Sequence, residues 1–120
     1  KVRIKSILQQ VYEYEVDDEL AKSIAMAAED PGAIGTFYQL SLAGGRTEVA
    51  AGELLEKFEG PLMLLWGEKD PWMTPTKAER IMEIKPDAYY APVVAGHCPH
   101  DDAPTECSAK LADWAEALPA

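Results

Sequence analysis

Asp70 and His97 are the residues in this sequence whose types and order suit acid–base chemistry. A histidine that serves as a general base presents one ring nitrogen to a nucleophile. Its other nitrogen must donate to a buried carboxylate, which fixes the tautomer and stabilises the imidazolium. Asp70 can be that carboxylate if the two segments that carry the residues are neighbours. Gly96, directly before His97, permits a tight backbone path. The bland alternatives are an ordinary Asp-Pro turn at Asp70 and a surface-loop histidine at His97.

The elements around them favour the functional pairing. Pro61 to Trp66 is a continuous apolar run between Gly60 and Gly67, of the length of a strand buried on both faces. Thr74 is placed to cap a following helix with Pro75 at its first position, and Ile81, Met82 and Ile84 supply its apolar side. Ala88 to Val94 reads as a second strand. Pro92 removes one ladder donor there, which suits a sheet edge. Ala95 to Asp102 reads as a loop. A last helix follows, with Cys107, Leu111, Trp114 and Leu118 as its buried stripe. Strand, helix, strand implies a right-handed crossover and a parallel pair. Function in such sheets lies at the carboxyl ends of the strands. The Asp70 loop and the His97 loop are the two that meet this rule.

The first half reads as helices. Val2, Ile4, Ile7, Leu8 and Val11 recur at helical spacing. Asp17 can cap a second helix containing Leu20 and Ile24, interrupted at Asp30, Pro31 and Gly32. A third segment carries Ile34, Phe37, Tyr38 and Leu42 and stops at Gly44 and Gly45. A fourth, with Leu54, Leu55 and Phe58, begins near Thr47. The Leu, Met and Phe residues of this half are expected to be mostly core. So are Trp66 and Trp114.

Composition narrows the function classes. With 11 basic and 21 acidic residues the formal charge is −10, which repels phosphate backbones and anionic lipid. Nucleic acid is therefore not an expected partner. No apolar run reaches the ~20 residues that span a bilayer, so no transmembrane segment is expected. Cys98 and Cys107 do not make a disulfide framework. The chain starts at Lys1 without an initiator Met and reads as cut from something longer.

Trp66-Gly67-Glu68-Lys69-Asp70-Pro71-Trp72, followed by the stretch from Ala95-Gly96-His97 to Asp102-Ala103-Pro104, resembles the C-terminal triad segments of the α/β-hydrolase superfamily. Acid before histidine is that superfamily's order. Within it the chain is most similar to the pheophytinase-like and chlorophyll-dephytylase-like branch. Gln10-Val11-Tyr12, Val16 to Leu20 and Glu29 to Ala33 are similar to the branch's lid region. The resemblance implies an α/β chain, a C-terminal section of the hydrolase fold (parallel strand-helix-strand-helix) preceded by helical lid elements. Residues 1–58 would be the lid and 59–120 part of the core. Asp70 would be the triad acid and His97 the base, and Trp72 would line the substrate-binding pocket mouth or simply pack. The implied substrate is a hydrophobic small-molecule ester such as a phytyl ester, handled without metal or organic cofactor. The implied location is the chloroplast, and otherwise the cytoplasm.

The departure from the pattern is the nucleophile. No Gly-x-Ser-x-Gly elbow is present. Ser41-Leu42-Ala43-Gly44-Gly45 is a near-match that fails, because Gln39 stands where the first glycine should and the segment ends a helix. Ser6, Ser23 and Ser108 lie on expected helices. The nucleophile is expected upstream, in a part not present, and that missing N-terminal part or a partner protein is expected to complete the sheet. A rival reading takes His97, Cys98, His100, Asp101 and Asp102 as a metal loop, but zinc draws its ligands from two separated pairs. His100 and the aspartates are instead expected to cap the last helix. Two alternatives to an esterase stay open. One is a lid-bearing hydrolase with an Asp nucleophile, a dehalogenase or epoxide hydrolase. The other is a non-catalytic hydrolase-like subunit of a larger assembly.

Overall fold

The computed structural model describes residues 2–43 and 50–119. The expected stop at Gly44 and Gly45 and the expected start near Thr47 lie outside them. The chain is mixed α/β with a small parallel sheet. Four helices come first: α1 Val2–Leu8, α2 Asp18–Ala27, α3 Ala33–Ala43 and α4 Ala51–Lys57. Then follow β1 Met63–Gly67, α5 Pro75–Ile84, β2 Tyr89–Val93, α6 Pro99–Asp102 and α7 Pro104–Glu116.

β1 and β2 pair in parallel, with Met63 opposite Tyr89, Leu65 opposite Ala91 and Gly67 opposite Val93. The pairing runs past the strands. Tyr89 N–H donates to the Leu62 carbonyl at 2.8 Å, Glu68 N–H to Val93 at 2.9 Å and Lys69 N–H to Ala95 at 3.0 Å. Both loops therefore leave the sheet side by side at its carboxyl end, which is the feature that positions the site. Each strand has only one partner among the described residues.

Close packing of backbone on backbone explains two glycines here. A Cβ on Gly67 would overlap the Gly96 carbonyl, and a Cβ on Gly96 would overlap the Val11 carbonyl. The requirement at Gly96 is thus space rather than an unusual backbone conformation, since its φ is not positive.

The buried core is small. Val93, Ala95 and Cys107 form its centre, flanked by Leu65 and Ala103. Ala78 of α5 and Leu64 are buried near β1, and Val11, Val16 and Ala21 are buried in the helical half. The expectation of a mostly apolar interior for that half is corrected. Ile34 is 84% exposed and Phe37 74%, and Leu40, Leu42 and Met26 are also exposed. The reason is that α3 packs substantially against no other described element. The radius of gyration agrees: 17.0 Å, against ~14 Å for a compact domain of this length.

Other expectations change locally. Trp66 and Trp114 are half-buried rather than core, and Leu111 on the expected stripe of α7 is exposed. The Trp66 indole N–H donates to the Met73 carbonyl at 2.7 Å. Thr74 occupies the N-cap of α5 without a side-chain bond; its carbonyl accepts from Lys77 N–H at 2.8 Å instead. Asp17 does cap α2, accepting from Glu19 N–H at 2.8 Å. Part of the expected loop 95–102 is the single-turn helix α6, begun by Pro99 at its first position.

Candidate functional site

Asp70 sits just beyond the end of β1 and is the one charged residue among the described residues that is buried. Its Oδ1 accepts from Trp72 N–H at 2.8 Å and Met73 N–H at 2.9 Å. This is the local turn expected of Asp-Pro. Its Oδ2 is left to face His97, whose Nδ1 lies 2.8 Å away. Burial by itself would raise the Asp70 pKa. The Met73 N–H, the His97 ring and the Trp72 N–H act against it and leave the carboxyl below its usual range.

An ionised carboxylate can only accept, so the 2.8 Å contact assigns the hydrogen to Nδ1. Nε2 is then the basic nitrogen, and it has no hydrogen-bond partner among the described residues. The His97 side chain is 33% exposed while that of Asp70 is 7%. An oriented base with one face open and its acid buried can take a proton from a group brought to it. Trp72, itself exposed, meets the imidazole edge-on, with ring centroids 4.9 Å apart.

The histidine loop is held by the helical half. His97 N–H donates to the Val11 carbonyl at 2.6 Å. Asp102 accepts from Gly96 N–H at 2.7 Å, Glu13 N–H at 2.8 Å and Tyr14 N–H at 3.0 Å. Tyr12 donates its hydroxyl to Asp101 at 2.8 Å. Burial and that carboxylate both push the Tyr12 pKa well above its ordinary value. The expectation that Asp101 and Asp102 cap the last helix is therefore corrected. They bind residues 12–14, and α7 begins at Pro104 without a side-chain cap. The acidic pair directly after a histidine loop was the only sequence signal for this contact, and it fitted a helix cap equally well.

The serines stand where the sequence put them. Ser6, Ser23, Ser41 and Ser108 all lie within helices. The Ser41 hydroxyl is turned onto the Phe37 carbonyl at 2.8 Å and that of Ser23 onto Leu20 at 2.8 Å. None sits on a strand-to-helix elbow. Among the described residues no three His, Cys, Asp or Glu side chains converge as metal ligands. A cavity of about 550 Å³ lies between α1 and α2, away from Asp70 and His97. Its Lys5 is already paired with Asp18 at 2.6 Å. No described helix is long and apolar enough to cross a membrane.

Compared with curated proteins, the chain is similar to the chloroplastic pheophytinase of Arabidopsis thaliana. The identity is 31% over 121 residues, covering 96% of this chain and 25% of that protein. The chain thus spans about a quarter of the length of the curated relative it matches. No family model matches it. No solved structure matches it. The likeness to pheophytinase agrees with the hydrolase resemblance of the sequence at the level of the superfamily.

Proposed function

We propose that the chain supplies the acid and the histidine of a Ser-His-Asp triad in an α/β-hydrolase that cleaves a carboxylic ester. The observation that carries this reading is the 2.8 Å contact between His97 Nδ1 and the buried Asp70 carboxylate. It lies at the carboxyl end of a parallel strand pair. Asp70 is the acid and His97 the general base, with Trp72 beside it at the mouth of the site. The nucleophile and the oxyanion donors belong to polypeptide upstream of these 120 residues, and that part or a partner protein extends the sheet. Residues 1–58 are the lid and residues 59–120 part of the hydrolase core. The similarity to a chloroplastic pheophytinase supports a hydrolase; the ester in this reading is hydrophobic, such as a phytyl ester, and the location the chloroplast.

In this reading the nucleophile's oxygen adds to the ester carbonyl as His97 Nε2 takes its proton. Asp70 stabilises the resulting imidazolium, which then returns the proton to the leaving alcohol. Water repeats the sequence to release the acid. No step requires a metal or an organic cofactor.

The test is ester hydrolysis by the protein with its nucleophile present. Asp70→Asn should lower kcat by about 10⁴-fold, because the amide favours the wrong tautomer. His97→Ala should lower it further, toward the ~10⁶-fold loss typical of a missing triad histidine. Turnover that survives both substitutions would remove the assignment.

A further inference from the structure

Three hydrogen bonds around the histidine loop converge on one side chain. The Asp102 carboxylate gathers Gly96 N–H on Oδ2 at 2.7 Å, Glu13 N–H on the same oxygen at 2.8 Å and Tyr14 N–H on Oδ1 at 3.0 Å. One carboxylate thus joins the residue before His97 to the strip of chain that leaves α1. On the sheet side the loop is fixed by Lys69 N–H on the Ala95 carbonyl at 3.0 Å. On the far side it is fixed by Asp102 and by the Val11 carbonyl. Bonds to an ionised acceptor are roughly twice as strong as neutral ones, so Asp102 is the stronger of these two anchors.

We propose that Asp102 is a positioning residue for His97, through which the seating of residues 11–16 sets the imidazole against Asp70. With the strip in place, Gly96 is pulled toward Asp102 and Nδ1 meets the Asp70 carboxylate. With the strip displaced, Val11 and two of the three N–H groups go with it, and His97 loses its orientation. Movement of the helical half then switches the acid–base pair on or off through the backbone of Gly96 and His97, without touching either side chain of the pair. This rests on the proposed function for its catalytic consequence, while the positioning itself is testable without any activity.

The chain has two histidines, so ¹⁵N-histidine labelling isolates the readout. The labelled chain is studied alone or with an unlabelled polypeptide that completes its sheet. In the unsubstituted chain His97 should show a single tautomer with hydrogen on Nδ1. Asp102→Ala should return it to the mixture of a free imidazole. Asp102→Asn, close in shape and the decisive variant should the alanine form unfold, keeps one acceptor oxygen and should give an intermediate population. Lys22→Met removes only the exposed pair with Glu19 on α2 and should leave His97 unchanged. In the ester-hydrolysing protein Asp102→Asn should lower kcat by up to about 10²-fold, the effect of a small misplacement, with KM within about twofold. An unsubstituted chain with mixed His97 tautomers would overturn the triad reading. A single Nδ1–H tautomer unchanged by either Asp102 substitution would overturn the positioning role alone.

Discussion

The Trp72 indole stands edge-on to the His97 imidazole, with centroids 4.9 Å apart and planes inclined at 64°. Such a contact between aromatic rings contributes ~0.5–1.5 kcal/mol beyond area burial. Here it adds a second contact to the imidazole beside that of Asp70. Trp72→Leu should therefore lower ester kcat/KM by about three- to tenfold, and Trp72→Phe should retain most of it. Steady-state kinetics of the two variants check this. A leucine variant as active as the parent would make Trp72 a bystander.

Asp70 gives the fold a pH dependence of definite sign. Its pKa is held below the usual carboxylate value in the folded chain, while in the unfolded chain it returns to about 3.9. Stability from this group is therefore complete above about pH 4 and is lost as pH falls through the folded-state value. Thermal unfolding followed from pH 6 to pH 3 should show the parent losing its advantage over Asp70→Asn only below about pH 4. An advantage that persists into stronger acid would contradict the assignment.

Gly67 and Gly35 should respond in opposite ways to alanine. A methyl group on Gly67 meets the Gly96 backbone, which cannot give way without moving His97. Overpacking of that kind costs ~1–3 kcal/mol. Gly35 lies on α3 with open space around it, and alanine there gains up to ~1 kcal/mol of helix propensity. Denaturant midpoints of the two variants should move apart. Equal tolerance at both positions would mean that the two loops are not pressed together.

The 120 residues alone should not turn over an activated ester. Their described serines lie within helices, the Ser41 hydroxyl is committed to a carbonyl, and Nε2 of His97 has no partner among the described residues. A sensitive chromogenic assay is sufficient. Turnover abolished by His97→Ala would require a nucleophile within this chain.

The part of the fold written in local sequence was legible. The apolar run ending at Trp66 sets β1, Asp17 sets the start of α2, and the strand-helix-strand order sets the parallel pair. Together they bring Asp70 and His97 to the same edge. The contacts of Asp102 were not legible, because a carboxylate that accepts backbone N–H groups from residues far along the chain leaves the same local pattern as a helix cap. The exposure of Phe37 and Leu40 was hidden for a similar reason. Apolar spacing marks a side chain that wants cover, and only the surrounding structure tells whether this chain provides it.

Glu13 N–H and the Asp102 carboxylate are joined across 89 residues of sequence, so the histidine loop closes a ring that encloses α3 and α4. Closure entropy grows only logarithmically with ring length, and doubling the enclosed chain costs about 0.6 kcal/mol. The enclosed helices can therefore be lengthened, shortened or exchanged with little effect on the geometry at His97. Descendants of such a chain are free to rebuild α3 and α4 while the ends of the ring keep Asp70 and His97 in place.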